Sequence, residues 1–533
     1  MTQIPMILPP ICSLQKMQDL NPKHLEEEEE EGEDQPNKPL TKTTYQENRN
    51  QCFKKHNVTC SILLEPFQWL QMLSSKLNPT FVLGVLLTYG LNQGFSGSFF
   101  KVVSDFYWKD VQKVQPSEVQ LFIGLYYIPW VMKPVWGLMT DVFPVMGYHR
   151  RPYFVVAGVL GVASALSVAA GGRLAVAAAL TLLIGITGGV AIADVTIDAC
   201  IARNSIEIRS LAADMQTLCG LCSSAGALLG YSTSGFLVHH LGAQVALGIL
   251  AIPSATLILL GFVIYEPRTT NQDIHFEKTK ATEKLREAVY GMYRTIKFPQ
   301  VWKPSLYMYL SLALSISTHE GQFYWYTDPD AGPAFSQEFI GMIYAIGAMA
   351  SIVGVIIYHK ALKNHPFRPL LFYAQLLYAV SGTLDLVFIQ RWNLALGIPD
   401  YTFVVLEECV SRVISRIRWM PMMVLSSQLC PLGIEGTFFA LLMCIDNLGA
   451  LTSKWGGGLV LHLLHVTRSD FKNLWLAVLV RNVLRFVTLG LIFLVPNVGP
   501  NDVFLIPAKV VVGGGEVVDC EKCLEMVPLN EKV

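Results

Sequence analysis

The sequence predicts an all-α membrane protein with twelve transmembrane helices arranged in two six-helix bundles. Three observations indicate this class: 52% of the residues are hydrophobic, only 15% are charged, and apolar runs long enough to cross a bilayer recur along the chain. A soluble domain usually carries about 25% charged residues. A helix that spans a bilayer needs about 20 mostly apolar residues, so these runs fit lipid as their solvent.

Twelve apolar runs fall into two groups of six, separated by a long polar stretch. The first group lies roughly at residues 79–100, 118–140, 152–170, 174–198, 210–238 and 243–265. The second group lies roughly at residues 304–326, 337–358, 369–390, 400–428, 433–463 and 472–495. Each run can form a spanning helix, and six runs on either side of a central loop indicate two packed helical bundles.

These runs divide the chain into five regions. We expect an acidic, disordered cytoplasmic tail at residues 1–76, an N-terminal bundle at 77–265, a cytoplasmic central loop at 266–303, a C-terminal bundle at 304–497 and a second cytoplasmic tail at 498–533. The acidic run from Glu26 to Glu31 cannot bury enough apolar surface to fold. It matches neither a signal peptide nor a transit peptide, so we expect no cleaved targeting segment, and a plastid location is disfavoured.

Lysine and arginine residues in the connections predict the orientation. If both termini are cytoplasmic, the inner loops hold more basic residues than the outer loops, as cytoplasmic loops usually do. Outside the central loop, the basic residues of the inner loops include Arg150, Arg151, Arg203, Arg209, Lys360, Lys363 and Arg368. Apolar side chains at helical spacing in the central loop predict an amphipathic helix on the inner membrane surface or a solvated linker helix. These side chains are Leu285, Val289, Met292 and Ile296.

A short pattern after the second run has an echo after the eighth. Gly137 and Arg151 are 14 residues apart, as are Gly354 and Arg368, and each arginine precedes a proline. Duplicated halves are common in transporter folds, although a match this short also arises by chance.

The first copy of this pattern resembles the G-x-x-x-D…R signature that joins spans two and three of major facilitator transporters. Gly137 allows close approach of two helices, and Asp141 can accept hydrogen bonds from a neighbouring helix end. Arg150 and Arg151 hold the loop inside and can pair with a carboxylate. We therefore interpret these four residues as gating residues that stabilise one closed face, and not as substrate ligands.

Carboxylates inside the apolar runs are candidates for coupling. Asp194 and Asp198 lie four residues apart in the fourth run and so share one helix face. Ionisable residues at membrane depth are costly and tend to line a cavity or find a partner. The pair is interpreted as a proton-coupling site or as a charge pair that breaks during cycling; the alternative is two helix-end residues in water. Asp385 and Asp446 are further candidates.

The tenth and seventh runs contain candidates for binding a substrate. Arg412 and Arg416 share a helix face with Glu408, and guanidinium groups can grip an anionic substrate in a bidentate fork. The alternative is a self-neutralising ladder of charges. Glu320 and Tyr324 belong to a mixed acidic and aromatic stretch that suits a flat, polar heterocycle. The alternative for that stretch is an interfacial belt of aromatic residues.

Glycine and cysteine patterns indicate packing more than chemistry. Gly188-Gly189 and Gly456-Gly457-Gly458 predict tight helix contacts. Six of the eleven cysteines fall in or directly beside the apolar runs, and the C-x-x-C at Cys520 and Cys523 is weak evidence on its own, so no metal site is predicted. No cofactor is predicted, and the net charge of −1 gives no sign of a nucleic-acid partner.

Several short motifs between about residues 75 and 497 carry a more specific resemblance. In the first half they are Tyr127-Ile-Pro-Trp130-Val-Met-Lys133-Pro134 with Gly137, Asp141, Gly147-Tyr148 and Arg150-Arg151, then Ala193-Asp194 with Asp198-Ala199, and Gln216-Thr-Leu-Cys219. In the second half they are Phe323-Tyr-Trp-Tyr326-Thr327, Leu429-Cys430-Pro431 with Gly433, Glu435 and Gly436-Thr437, and Asp446-Asn447. Together they resemble the folate–biopterin transporters, a branch of the major facilitator fold.

This resemblance implies uptake or exchange of a folate or pterin by alternating access, driven by a proton gradient, in a protein that is a monomer by default. Another organic anion is the alternative substrate, and a sensor that binds solute without moving it is the alternative class. No G-x-x-x-x-G-K-[ST] motif of an ATP-driven pump is present. No HExxH or G-x-S-x-G motif is present either, so we expect no enzymatic activity.

Overall fold

The computed structural model of the chain describes residues 67–142, 145–208, 211–266, 296–429 and 435–499, with four isolated positions in the central loop. Residues 1–66 of the predicted acidic tail, residues 500–533 with the C-x-x-C, and three of the four apolar positions of the predicted amphipathic helix lie outside the described residues. Residues 67–76, which were assigned to the disordered tail, are instead helical, and Leu73 among them is buried. Nearly all described residues are helical; the described part contains one isolated β-bridge, between Val145 and Tyr148, and no strand.

The first half contains ten helical segments in its described part, labelled here in chain order. A helix over residues 67–76 (α1) precedes α2, which passes without a break through Pro79–Val85, Leu86–Ser96, Gly97–Phe106 and Tyr107–Val111. The others are α3 (Pro116–Leu125), α4 (Ile128–Val131), α5 (Lys133–Val142), α6 (Arg151–Ala170), α7 (Val176–Glu207), α8 (Ala212–Leu241), α9 (Ala243–Gly248) and α10 (Ala251–Val263). Two segments of α2, Leu86–Ser96 and Tyr107–Val111, are π-helical, an arrangement that is frequent at functional sites.

The second half contains eight helical segments in its described part. They are α11 (Pro299–Ala313), α12 (His319–Tyr326), α13 (Gln337–Ile357, continued by Tyr358–Leu362), α14 (Phe367–Ile389), α15 (Trp392–Ala395), α16 (Asp400–Gln428), α17 (Glu435–Leu463) and α18 (Leu474–Val487, continued by Thr488–Leu494). The predicted seventh run is therefore two helices, α11 and α12, separated by a non-helical stretch.

Seven segments of the described chain are long and apolar enough to cross a membrane by length and composition. They are Arg151–Ala170, Val176–Ile201, Thr217–Leu241, Ala243–Val263, Gln337–Leu362, Phe367–Ile389 and Leu474–Leu494. The other predicted spans are broken into shorter helices or carry more polar and charged side chains, as in α16 with its glutamates and arginines. The nearly all-helical membrane class is thus confirmed, whereas the count of twelve spans stays a prediction.

The two halves meet along two seams. Helix α13 packs on α8 at one seam, and α17 packs on α3 at the other. Glycines make the first crossing close: a Cβ added at Gly235 would lie 2.2 Å from the carbonyl oxygen of Gln337, and one added at Gly341 would lie 2.9 Å from that of Tyr231. Small residues let helix backbones approach in this way.

The break between α11 and α12 is held against α17. The hydroxyl of Ser453 donates to the carbonyl oxygen of Ser315 at 2.7 Å, and the backbone amide of Ser317 donates to that of Ser453 at 3.1 Å. A Cβ added at Gly457 would lie 1.8 Å from the carbonyl oxygen of Ser317, so the predicted close contact at this glycine patch is present.

Gly457→Ala is therefore expected to destabilise the protein, because the new methyl group meets backbone that is itself hydrogen-bonded to α17. Overpacking of this kind costs about 1–3 kcal/mol. The midpoint of thermal unfolding in detergent should fall, whereas Gly490→Ala, where a Cβ meets nothing within 4 Å, should leave it unchanged. Equal midpoints for the two variants would show that this contact is not tight.

The two copies of the predicted repeat make matching contacts. The Nε of Arg151 donates to the carbonyl oxygen of Ile264 at 2.8 Å, and the Nε of Arg368 donates to that of Val495 at 2.7 Å. Each arginine thus ties the start of one helix to the end of the last helix of its own half. This shared geometry supports an internal repeat over a chance match.

Candidate functional site

Two neighbouring cavities, one lined mainly by the first half and the other mainly by the second, share three side chains. Their volumes are 230 Å³ and 340 Å³. Lys101 of α2, His319 of α12 and Lys454 of α17 line both of them. Because α2 belongs to the first half and the other two helices to the second, the junction of the cavities lies between the two halves of the chain.

Aromatic rings dominate the smaller cavity. They belong to Phe100, Tyr126, Tyr127, Trp130 and Tyr231. A hydrogen bond holds Tyr126 in position: the indole nitrogen of the buried Trp108 donates to the hydroxyl of Tyr126 at 2.6 Å. Polar side chains of Gln93, Asp105 and Asn447 also reach this cavity. Flat faces with a few polar groups suit a flat, hydrogen-bonding ring.

Positive charge dominates the larger cavity. Five cationic side chains line it, against three carboxylates. The cations are Lys101, Arg412, Lys454, Arg481 and Arg485, and the carboxylates are Asp385, Glu407 and Glu408. An excess of guanidinium and ammonium groups in a partly dehydrated cavity favours an anionic ligand, above all a carboxylate that arginine can hold in a fork.

A network around Arg481 organises one wall of the larger cavity. Its Nη2 lies 2.5 Å from Oδ2 of Asp385, and its Nη1 donates to Oε1 of Gln322 at 3.1 Å. The amide of Gln322 in turn donates to Oδ1 of Asp385 at 3.0 Å. These contacts tie α18, α14 and α12 together. Asp385 was a predicted candidate, whereas Arg481 was missed; two arginines four apart in an apolar run, Arg481 and Arg485, were the available signal.

The two arginines predicted to bind substrate are placed differently. Arg412 lines the larger cavity and pairs with Glu408, whose Oε1 lies 2.6 Å from the Nε of Arg412. Arg416 lines neither of these two cavities, and its guanidinium lies over the ring of Trp419, 5.5 Å from the centroid. Arg412 therefore lines the larger cavity but is paired with Glu408, as the alternative of a charge ladder expects. Arg416 lies outside both cavities.

The seventh run supplies different residues from those predicted. Tyr324 is fully buried, donates its hydroxyl to the carbonyl oxygen of Val114 at 3.0 Å, and lines neither of the two cavities. Glu320 is also fully buried, directly beside the junction residue His319. His319, Lys101 and Lys454 were missed, and the only sequence signal was a charged or imidazole side chain within an apolar run.

Asp194 and Asp198 lie in a second polar cluster inside the first half. Oδ2 of Asp194 lies 2.5 Å from the Nζ of Lys133, and the amide of Gln93 donates to its Oδ1 at 3.1 Å. The hydroxyl of Tyr89 donates to Asp198. Asp194 is 1% exposed, so the alternative of a helix-end residue in water is wrong for it. Lys133, its partner, was not singled out for this role.

The predicted gating residues contact their own half. The backbone amides of His149, Arg150 and Arg151 donate to the carboxylate of Glu266 at 2.7, 3.0 and 3.0 Å, an arrangement that favours an anion at the start of α6. Sequence reasoning missed Glu266. A Cβ added at Gly137 would lie 3.6 Å from Val195, and the side chain of Asp141 lies outside the described residues.

The halves are joined by hydrogen bonds at the face predicted to be outer. Lys109 donates from its Nζ to the hydroxyl of Thr327 at 2.6 Å. The backbone amide of Arg468 donates to the side-chain oxygen of Gln115 at 3.1 Å. The hydroxyl of Tyr324, which donates to the carbonyl oxygen of Val114, adds a third hydrogen bond between the halves at this face.

Comparison with known proteins assigns the family. The family model described as the BT1 family matches residues 93–503 of the chain. The chain belongs to the BT1 family. Its family had been predicted from the motifs above, and that prediction is confirmed.

Relatives of this BT1-family protein carry transporter names. The chain is 64% identical to probable folate-biopterin transporter 6 of Arabidopsis thaliana over 461 residues, which cover 86% of this chain and 91% of that protein. It is 31% identical to the folate-biopterin transporter of a Synechocystis strain over 424 residues, which cover 79% and 83%. The BT1-family chain is accordingly a multi-pass membrane transporter, and the prediction that it is not an enzyme is confirmed.

Solved structures confirm the architecture. The nucleoside transporter NupG aligns with a TM-score of 0.58 at 12% identity, covering 77% of this chain and 98% of NupG. Identity this low shows the fold alone. The BT1-family chain therefore shares its nearly all-helical fold with this transporter, whereas the count of twelve helices stays a prediction.

Proposed function

We propose that this protein is a secondary active transporter that moves folate or pterin compounds across a membrane by alternating access. In this proposal twelve helices form two bundles, residues 77–265 and 304–497, which rock about the cavities at their seams, with both termini cytoplasmic. The single observation that carries the proposal is a pair of adjoining cavities in a BT1-family chain, one aromatic and one cationic, which share side chains at the boundary between the halves.

The chemistry of the solute matches this division. Folate joins a flat pterin ring to a glutamate with two carboxylates, so its two ends need an aromatic site and a cationic site. The pterin ring would occupy the smaller cavity and the carboxylates the larger one, near Arg412 and Arg481. Ligand sites usually measure about 300–1,000 Å³, so a two-part solute would use both cavities rather than one.

Proton coupling in this proposal involves Asp194 and Asp198. Asp194 lies in a helix that is long and apolar enough to span a membrane, is 1% exposed, and pairs with the partly buried Lys133. Ionisable groups in such helices mark ion and proton pathways. Protonation of Asp194 would weaken the pair and release Lys133. The cluster would thereby sense the proton gradient from within the first bundle.

Gating in this proposal belongs to the loop that contains Gly137, Asp141, Arg150 and Arg151. The bonds from this loop to Glu266 join the start of α6 to the end of α10, so they make the inner end of the first bundle rigid. A rigid inner end lets that bundle move as one body. Arg416 and Tyr324, which lie outside the two cavities, would meet the solute only after the helices have rearranged.

Uptake by the purified protein in lipid vesicles tests this function. Labelled folate and a simple pterin without a glutamate are each offered under a pH gradient that is acidic on the side of the added solute, and the gradient is then collapsed. We expect saturable uptake of folate that disappears with the gradient. Absence of flux for both compounds, with correctly folded protein, would favour another organic anion as the substrate; saturable binding without flux would favour a sensor.

A further inference from the structure

We propose that Asp105, His319 and Glu320 form a proton-binding site at the junction of the two cavities. This inference rests on the proposed function, because it assigns the coupling proton of that transporter a second site, between the halves. Asp105 lies on α2 in the first half, and His319 and Glu320 open α12 in the second. The sequence predicts no role for Asp105 or His319, and it predicts a substrate-binding role for Glu320.

The three side chains form one compact group. The Nε2 of His319 lies 3.3 Å from Oδ2 of Asp105 and 3.8 Å from Oε1 of Glu320. One carboxyl oxygen each of Asp105 and Glu320 and one ring nitrogen of His319 all lie within 4.8 Å of one another. Asp105 is 1% exposed and Glu320 is fully buried, so both carboxyl groups are shielded from solvent.

Glu320 has an unusual environment for an anion. Both of its carboxyl oxygens are buried and accept no hydrogen bond within the described part of the chain, while its backbone amide donates to the side-chain oxygen of Gln120 at 3.1 Å. A buried carboxylate without donors is strongly disfavoured, and two carboxylates in one small site repel each other. A proton held by the pair removes both penalties, as in other sites where two carboxyl groups share one proton.

Other charged and titratable groups face this site from every neighbouring helix. They are Lys101 on α2, Tyr126 after α3, Tyr324 on α12, Tyr344 on α13 and Lys454 on α17. Within the described residues neither lysine forms an ion pair with Asp105 or Glu320. Lys454 donates from its Nζ to the hydroxyl of Ser317 at 3.0 Å, and the Nζ of Lys101 lies over the ring of Tyr344, 4.4 Å from the centroid.

These two lysines link the proton to an anionic solute. Both line the larger cavity, where their ammonium groups would interact with the carboxylate of a bound solute. The lysines would then stabilise the negative charge of Asp105 and Glu320 less, so this pair would bind its proton more tightly. Because such coupling is reciprocal, a bound proton would also favour binding of the anion. The positive charges of the same two lysines disfavour a divalent cation at the site more than a single proton, because like charges repel.

The position of the site differs from that of the Asp194 cluster. The carboxylate of Asp194 pairs with Lys133 and accepts a hydrogen bond from Gln93, and both partners lie in its own half. The contact between Asp105 and His319 instead joins the two halves. Loss of the proton would therefore make the carboxylates of the two halves repel each other. This repulsion acts directly on the movement that exposes the cavity to one side or the other.

Two measurements on Glu320→Gln and Asp105→Asn test the proposal, with Glu118→Gln, an exposed acid on α3, as the matched control. The first compares accumulation of folate driven by a pH gradient with exchange of folate at equal pH on both sides. Glu320→Gln should lower accumulation at least about tenfold while exchange continues, because exchange needs no release of the proton. Full accumulation in both Glu320→Gln and Asp105→Asn would overturn the proposal.

The second measurement is an infrared difference spectrum of the full chain in detergent across a pH titration. A band of a protonated carboxylic acid in the wild type should disappear in Glu320→Gln or Asp105→Asn and persist in Glu118→Gln. This readout does not depend on transport, so it still tests the site if the wild type moves no folate and the proposed function fails. An unchanged band in both variants would overturn the site, and so would tight Zn²⁺ binding by the wild type in place of the band.

Discussion

Asp194→Asn is expected to abolish uptake driven by a pH gradient while the protein still inserts into the membrane. Asp194 is buried, and its carboxylate holds the ammonium group of Lys133 at 2.5 Å. An asparagine cannot carry the proton and removes the ion-pair partner of the partly buried Lys133, a change that costs less than the roughly 3–5 kcal/mol typical of a fully buried pair. Uptake in vesicles measures the effect, and Asp330→Asn, at an exposed loop position, is the control.

A paired variant separates the coupling role of Asp194 from its structural role. Lys133→Gln combined with Asp194→Asn removes both charges together, so the penalty of the unpaired lysine disappears. If Asp194 carries the proton, the double variant should regain thermal stability but not gradient-driven uptake. Normal gradient-driven uptake by Asp194→Asn, or by the double variant, would contradict the coupling role.

Arg481→Ala should remove most of the affinity for folate. Arg481 is 5% exposed and lines the larger cavity, and its Nη2 lies 2.5 Å from Oδ2 of Asp385. Truncating one partner of a buried, hydrogen-bonded charge pair costs about 2–5 kcal/mol, which corresponds to at least about a 30-fold rise in Kd if the pair also binds the solute. Equilibrium binding of labelled folate to the purified protein measures the change.

Two further variants identify the cause of that loss. Arg481→Lys keeps the charge but loses the fork, so it should bind folate less well than the wild type while remaining better than Arg481→Ala. Arg481→Gln with Asp385→Asn removes the buried charges as a pair and should restore stability without restoring affinity. Recovery of folate affinity in the double variant would show that Arg481 supports the fold and does not contact the solute.

The fold was predictable because its signal is local. Each apolar run can be recognised from its own residues, and seven of them form helices of the required length and composition. The break between α11 and α12 was not predicted, because the residues around Ser317 are stabilised by partners on α17 that lie far away in the sequence. Local composition carries no information about such partners.

The site was only partly predictable for the same reason. Asp194 and Arg412 were found because a charge in an apolar run is itself unusual, and each has a second charge on the same helix face. Arg481 and its partner Asp385 are 96 residues apart, and His319 and Asp105 are 214 apart. A single sequence offers no way to pair residues at that distance. Tyr324 was predicted to stack on substrate because an aromatic side chain suits both a cavity and a core, and only packing distinguishes the two.

The most direct measurement is the position of folate in a structure of the complex with the purified protein. The pterin ring should lie among Tyr126, Trp130 and Tyr231 in the smaller cavity, with at least one glutamate carboxylate within hydrogen-bonding distance of Arg412 or Arg481 in the larger one. Folate bound elsewhere, or bound in one cavity with the other filled only by water, would contradict a single solute site that joins the two halves.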